Sequence, residues 1–123
     1  MLELFSLLVL FQIKHFICDY PLQGKYMLGK FKDGYAFILP LTAHAAVQAS
    51  GTLLIVSCFN IKLWWLAIVD FILHFIVDRL KADKRLLGRW SYNQSYFWWA
   101  LGFDQLTHHL LDILYVFLIW RNL

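Results

Sequence analysis

Residues 35–59 read YAFILPLTAHAAVQASGTLLIVSCF, an apolar run without a formally charged residue. Its 25 residues exceed the roughly 20 that an α-helix needs to cross the hydrocarbon core of a bilayer. The whole chain of 123 residues is 61% hydrophobic and only 15% charged, whereas soluble domains carry about 25% charged residues. A globule of this size cannot hide so much apolar surface from water, so the composition predicts a membrane protein.

Four apolar segments predict an all-α fold, a four-helix transmembrane bundle that forms a single domain over residues 1–123. The segments run over residues 2–20, 35–59, 63–79 and 96–120. Pro21 ends the first segment, because proline disfavours the helical conformation in the residue before it. A short turn joins the second and third segments, and longer polar connections follow the first and the third.

Lysine and arginine are distributed unevenly between the two sides of this predicted bundle. Eight of the eleven lie in or beside the two longer connections, namely Lys25, Lys30, Lys32, Arg79, Lys81, Lys84, Arg85 and Arg89. Only Lys62 and Arg121 fall on the other side, and Lys14 lies within the first segment. Positive connections stay in the cytoplasm. We therefore expect a multi-pass protein of the cytoplasmic (inner) membrane, with the bilayer as its first partner and both ends of this chain facing outward.

Histidine and aspartate recur inside the apolar segments at intervals of four residues. The series are His15 and Asp19, then Asp70, His74 and Asp78, then Asp104, His108 and Asp112, and the second segment adds His44. Residues four apart project from one face of a helix. Ionisable groups inside a bilayer are expensive unless they are paired or hydrated. The rise per residue puts most of these groups at similar heights, so we expect them to meet near the cytoplasmic end.

Imidazole and carboxylate groups together suit Zn²⁺, Mn²⁺ or Fe²⁺, and helical bundles hold such ions between facing helices. The pattern predicts one or two divalent ions, Zn²⁺ first, with ligands drawn from His15, Asp19, His44, His74, Asp78, Asp104 and His108. Four further residues would either orient these ligands or serve only as structural partners that cap or bridge helices, namely Gln23, Asp70, Gln105 and Asp112. The same side chains also fit a hydrogen-bonded network that only joins the helices, or a proton or ion path.

The order of these motifs resembles a family of small bacterial and phage membrane proteins of unknown function. The motifs read HFICD at 15–19, LQ at 22–23, His44, HFIVDRLK at 74–81 and DQLTH at 104–108. The resemblance covers nearly the whole chain. A looser likeness is to membrane-bound proteins described as metal-dependent hydrolases, which also set histidine and aspartate in short apolar helices.

These observations predict an enzyme, a metal-dependent hydrolase that opens toward the cytoplasm. Asp78 and Asp104 would act as ligands or general base, and Lys81 would hold the anionic group of a lipid-linked or phosphorylated substrate. Lys81 also fits a simple interface anchor. Two alternatives stay open: a transport module for a metal ion or proton, and a structural or partner-binding subunit. A homo-oligomer fits any of these, and the basic connections are too short for nucleic acid.

Overall fold

A computed structural model describes all 123 residues as four α-helices without a β-strand. The helices are α1 (Leu2–Asp19), α2 (Ile38–Phe59), α3 (Trp65–Ala82) and α4 (Ser95–Arg121). Short 3₁₀ turns lie at Met27–Phe31, Ile61–Leu63 and Leu87–Arg89. The predicted all-α, four-helix architecture is confirmed, and each helix begins and ends within three residues of the predicted segment.

The four helices enclose one common interior. Helix α1 contacts α2 and α4, and α3 also contacts α2 and α4. The turn Ile61–Leu63 joins α2 to α3, and Asn60 donates a hydrogen bond of 2.9 Å to the carbonyl oxygen of Asn122. The ends of α2 and α4 therefore meet at the same end of the bundle, together with the start of α3.

The observed helix ends depend on the residue types at each end more than on where the apolar segments end. Helix α1 ends at Asp19, two residues before Pro21. Helix α3 continues to Ala82 beyond the predicted Arg79, with Arg79 and Lys81 in its last turn. Basic side chains there interact favourably with the partial negative charge of a helix C-terminus. The helix therefore continues beyond its apolar segment.

The interior has two distinct halves. Near Asn60 it is a hydrophobic core of Leu7, Phe11, Ile55, Val56, Leu63, Leu66, Tyr115, Val116 and Ile119. In the other half, toward the two longer connections, the buried side chains are mainly ionisable or polar. The polar half therefore lies at one end of the bundle, and the nine-residue hydrophobic core, here called the apolar plug, lies behind it.

The outward faces of the helices are apolar. On α4 the side chains of Phe103, Leu106, Leu110, Ile113 and Phe117 are all about half exposed, and α1 and α3 present similar rows. Helix α2 is long and apolar enough in composition to cross a membrane, and the other three helices are not. The acidic side chains of α3 and α4 within the bundle are buried, so those helices are polar inside and apolar outside.

Candidate metal centre

Ionisable side chains from all four helices meet in the polar half of the interior. Asp78 on α3 lies at the middle of this cluster and is 4% exposed. Its Oδ2 lies 3.1 Å from His44 Nε2, and its Oδ1 lies 3.0 Å from His108 Nε2. The predicted histidines of α2 and α4 thus reach one carboxylate of α3.

Two groups of three side chains lie close enough together to hold a metal ion after small movements. The first is Asp19, His44 and His74, and the second is His74, Asp78 and His108. Within each group one ligand atom of every residue lies within 4.8 Å of the other two. A tetrahedral ion with bonds of about 2.1 Å needs its donors roughly 3.4 Å apart, so small side-chain movements would complete either triad.

His74 belongs to both triads and has a free nitrogen. Its Nε2 is buried without a hydrogen-bond partner, while its Nδ1 lies 3.7 Å from Asp70 Oδ1. Asp70 in turn accepts hydrogen bonds from Thr52 at 2.6 Å and from Lys14 at 3.1 Å. One ring nitrogen facing a carboxylate while the other stays free is typical of a metal-binding histidine.

His15 and Asp104, two other predicted ligands, flank the triads. His15 Nε2 lies 3.2 Å from Asp19 Oδ2, and Asp104 Oδ1 lies 3.2 Å from His108 Nε2. Each therefore contacts a member of a triad without belonging to one. Asp104 Oδ2 also lies 3.1 Å from Lys81 Nζ, so the predicted anion-binding lysine contacts the edge of the cluster.

The four residues expected to orient ligands have different contacts. Gln105 lies 3.0 Å from His15 and donates to Asp104 at 3.1 Å, so it touches two predicted ligands. Asp70 faces His74.

Gln23 and Asp112 lie farther from the ligand side chains. Gln23 accepts from Lys30 at 2.8 Å and donates to the backbone oxygen of Asp19. Asp112 lies 3.8 Å from Lys14 and contacts no predicted ligand. Of the four expected residues, Gln105 and Asp70 are thus the two in direct contact with ligand side chains.

Three residues of the cluster were not predicted from the sequence to lie in it. Gln48 donates to Asp19 at 2.5 Å, and Thr52 donates to Asp70. Gln48 and Thr52 follow His44 at intervals of four residues, so this spacing could have predicted that they lie on the same face of α2 as His44. Lys30 donates to Asp78 at 3.1 Å, although its position in a basic connection gave no sign that it reaches the interior.

The cluster contains more carboxylates than ammonium groups. Its carboxylates are Asp19, Asp70, Asp78, Asp104 and Asp112, and its ammonium groups are Lys14, Lys30 and Lys81. With neutral imidazoles, five carboxylates against three ammonium groups leave a formal charge of two negative. A buried charge of this kind is unfavourable unless it is paired. One divalent cation, or protons on two imidazoles, would neutralise it.

Comparisons with known proteins place the chain in a family without assigning an activity. No curated protein matches it, and no solved structure matches it. A family model described as "Protein of unknown function (DUF3307)" matches residues 7–123, which include both triads and all the flanking residues named above. The predicted resemblance to a family of unknown function is confirmed at this level, and the chain belongs to the DUF3307 family.

Proposed function

We propose that the protein is a membrane-embedded, metal-dependent hydrolase whose His/Asp centre lies near the cytoplasmic face and acts on a lipid-linked or phosphorylated substrate. The observation that carries this proposal concerns His74, the residue that the two triads share. Its Nε2 is buried and has no hydrogen-bond partner. A buried polar atom without a partner is uncommon and calls for a ligand, a water or an ion.

The distribution of polarity supports the membrane part of the proposal. The charged residues that lower the hydropathy of α3, such as Asp70 and Asp78, lie inside the bundle, and Ile68, Ile72 and Ile76 lie outside. Large exposed apolar surface marks a membrane or partner interface, and ionisable groups within a membrane face the interior of a bundle. A bilayer accounts for both features at once.

The charge and geometry of the cluster support one ion per chain. With neutral imidazoles, the formal charge of two negative would match one divalent cation. A neutral imidazole has one lone pair available for a metal. His74 would therefore bind in one triad at a time, and the two triads would be alternative positions for a single ion. Zn²⁺ suits a tetrahedral set of imidazole and carboxylate ligands, and Mn²⁺ or Fe²⁺ would also fit.

The surrounding residues can perform the remaining chemistry of hydrolysis. A bound divalent ion supplies hydroxide at neutral pH. Asp104 lies beside His108 and Lys81 and belongs to neither triad, so its carboxylate would remain available to accept a proton when an ion is bound. Hydrolysis of a phosphate ester joins the water oxygen to phosphorus and breaks the ester P–O bond. Asp104 would take the water proton and return it to the departing alcohol oxygen, while Lys81 would bind the phosphate.

Metal analysis of matched histidine variants tests the site. Protein purified in detergent should contain about one divalent metal ion per chain, counted by elemental analysis. His74→Ala should lose this ion. His109→Ala is the control, since His109 packs its ring 4.8 Å from that of His15 but belongs to neither triad. Wild-type protein that stays metal-free after incubation with Zn²⁺ and Mn²⁺ would overturn the proposal.

Phosphate release from a panel of phosphate monoesters, in detergent with added Zn²⁺ or Mn²⁺, tests the hydrolase part. Asp104→Asn keeps the shape of the side chain but removes its basicity, and general acid–base catalysis typically contributes about 10²–10⁴-fold. We expect a rate loss of that order with metal retained. Wild-type protein that binds metal and releases no phosphate from any ester would contradict hydrolysis of this class.

One observation favours a structural role as the second candidate. Lys14, Lys30 and Lys81 already pair with carboxylates of the cluster, so the helices are joined even without an ion. A metal-free protein would support this reading. Transport is less favoured, because the apolar plug, with Leu7, Phe11 and Leu66 fully buried, interrupts any polar path through one chain. Metal or proton flux into proteoliposomes would test it directly.

A further inference from the structure

A small apolar pocket lies beside the candidate centre, between the end of α3, the turn Leu87–Arg89 and the start of α4. Its lining includes Leu87, Trp90, Phe97 and Leu101. It has a volume of about 150 Å³. None of the candidate metal ligands lines it, so the pocket adjoins the cluster without being part of it.

Lys81 connects this pocket to the cluster. Its side chain lines the pocket and is 24% exposed, while its ammonium group lies 3.1 Å from Asp104 Oδ2. An ammonium group has three donors, so Lys81 can bind an anion in the pocket mouth as well as Asp104. Lys84 also lines the pocket, and its ammonium group lies 3.2 Å from Asp33 Oδ2.

The wall of the pocket is held in place by close packing. A Cβ atom on Gly88 would lie 2.6 Å from the carbonyl oxygen of Ala82, so the turn lies directly against the end of α3. Gly88 also donates a hydrogen bond of 3.0 Å to the carbonyl oxygen of Asp83. Hydrogen bonds from Arg85 lower the pKa of the Asp83 carboxyl, so this residue stays ionised and bonded to Arg85 at neutral pH.

We propose that this pocket receives the apolar group next to the phosphate of the substrate, and that the substrate is a monophosphate ester of a branched or cyclic apolar alcohol. This inference rests on the proposed hydrolase function. A protein cavity of about 150 Å³ holds a group the size of benzene, so a unit of roughly five or six carbon atoms fits. The phosphate would lie at Lys81, next to Asp104, and any longer chain would continue outward past Trp90.

Calorimetric titration with two phosphonates tests the pocket, because a phosphonate keeps the charge of the phosphate and cannot be hydrolysed at the ester bond. The probes are 4-methylpentylphosphonate and methylphosphonate. Wild-type protein should bind the larger probe at least about tenfold more tightly, since it buries several additional methylene groups. Lys81→Ala should weaken both probes, because both depend on the charged group.

Two tryptophan variants test whether the preference for the larger phosphonate arises in this pocket. Leu101→Trp should fill the pocket and reduce the preference to less than about threefold. Leu106→Trp adds the same bulk on the outer face of α4, where Leu106 is 53% exposed, and should keep the preference. Equal affinity of wild-type protein for the two probes, or equal effects of the two substitutions, would overturn the inference.

Metal content measured on the same samples separates this inference from the proposed function. A metal-loaded protein without preference for the larger phosphonate would leave the metal centre standing and remove the pocket as a binding site. A metal-free protein would overturn the hydrolase. The titration would still report on the pocket, because the pocket lining contains no candidate ligand.

Discussion

Lys30 joins a connection of the chain to the interior of the bundle. It lies in the 3₁₀ turn after α1, yet it is only 5% exposed. Its ammonium group lies 3.1 Å from Asp78 Oδ2 and 2.8 Å from Gln23 Oε1. Asp78 is also a candidate ligand, so this lysine and a bound cation would stabilise the same carboxylate.

Lys30→Met should therefore destabilise the metal-free protein more than the metal-loaded protein. Removing one partner of a buried ion pair costs about 3–5 kcal/mol, because the remaining charge is left uncompensated. We expect a loss near the lower end without metal and a smaller loss with metal, measured by thermal denaturation in detergent. The exposed Lys32 supplies the control, and Lys32→Met should change stability by less than about 0.5 kcal/mol. The same loss with and without metal would contradict a shared role.

The sequence predicted which side chains share one face of a helix, but it did not predict which side chains of different elements contact each other. The four-residue spacing placed His74 and Asp78 on one face of α3, because the helical repeat fixes direction along a single helix. It could not show that His15 contacts Gln105, or that Lys30 folds back onto Asp78. Those contacts depend on helix rotation and on the path of a connection, which no local pattern specifies.

Among the elements, α1 and α2 approach closely at a glycine. A Cβ atom on Gly51 would lie 2.7 Å from Lys14 Cγ and 3.4 Å from Cys18 Sγ. Small residues allow such approaches between helices in membranes. The contact matters for the site, because the same Lys14 side chain extends inward to Asp70.

Gly51→Ala should destabilise the protein by about 1–2 kcal/mol, because the clash with the lysine stem outweighs the gain in helix propensity. The matched control is Gly102→Ala on α4, where an added Cβ meets nothing within 4 Å. That substitution should stabilise the protein by up to about 1 kcal/mol. Thermal denaturation of both variants in detergent measures the difference, and a stabilised Gly51→Ala protein would show that α1 and α2 are not so close.

Helix positions were predictable from apolar length, but their ends were less so. Residues 35–59 identified α2, yet Tyr35–Phe37 precede the helix, which begins at Ile38. Helix α3 continues past Arg79 to Ala82, because charged residues that lower the hydropathy of a segment still form helical hydrogen bonds. Hydropathy reports the environment of a segment, whereas hydrogen bonding determines where its helix ends.

At the scale of the whole molecule, the half that holds the cluster inverts the usual polarity of a soluble domain, with ionisable side chains inside and apolar side chains outside. Buried side chains include His44, Asp70, Asp104 and Asp112, while large apolar side chains cover the outside. Composition predicted this inversion, because so apolar a chain with charges at helical spacing can satisfy them only by turning them inward. The apolar plug and the polar half also give the molecule a direction, and the distribution of lysine and arginine predicts which end faces the cytoplasm.

Cysteine labelling in cells tests that orientation. The native Cys58 is exposed near the end of α2, on the predicted outer side, whereas Cys18 is buried. A membrane-impermeant maleimide should therefore label the wild-type chain in cells whose inner membrane is intact. Cys58→Ser should abolish the labelling, because the Cys18 thiol is shielded inside the bundle.

Ser91 provides a labelling position on the opposite side of the bundle, since it is exposed in the connection between α3 and α4. In the Cys58→Ser background, Ser91→Cys should react only after the inner membrane is permeabilised, because the positive charges of that connection favour the cytoplasm. Labelling of Ser91→Cys in intact cells, with protection of Cys58, would reverse the orientation. The candidate centre would then open outward, since it lies at the same end of the bundle as this connection.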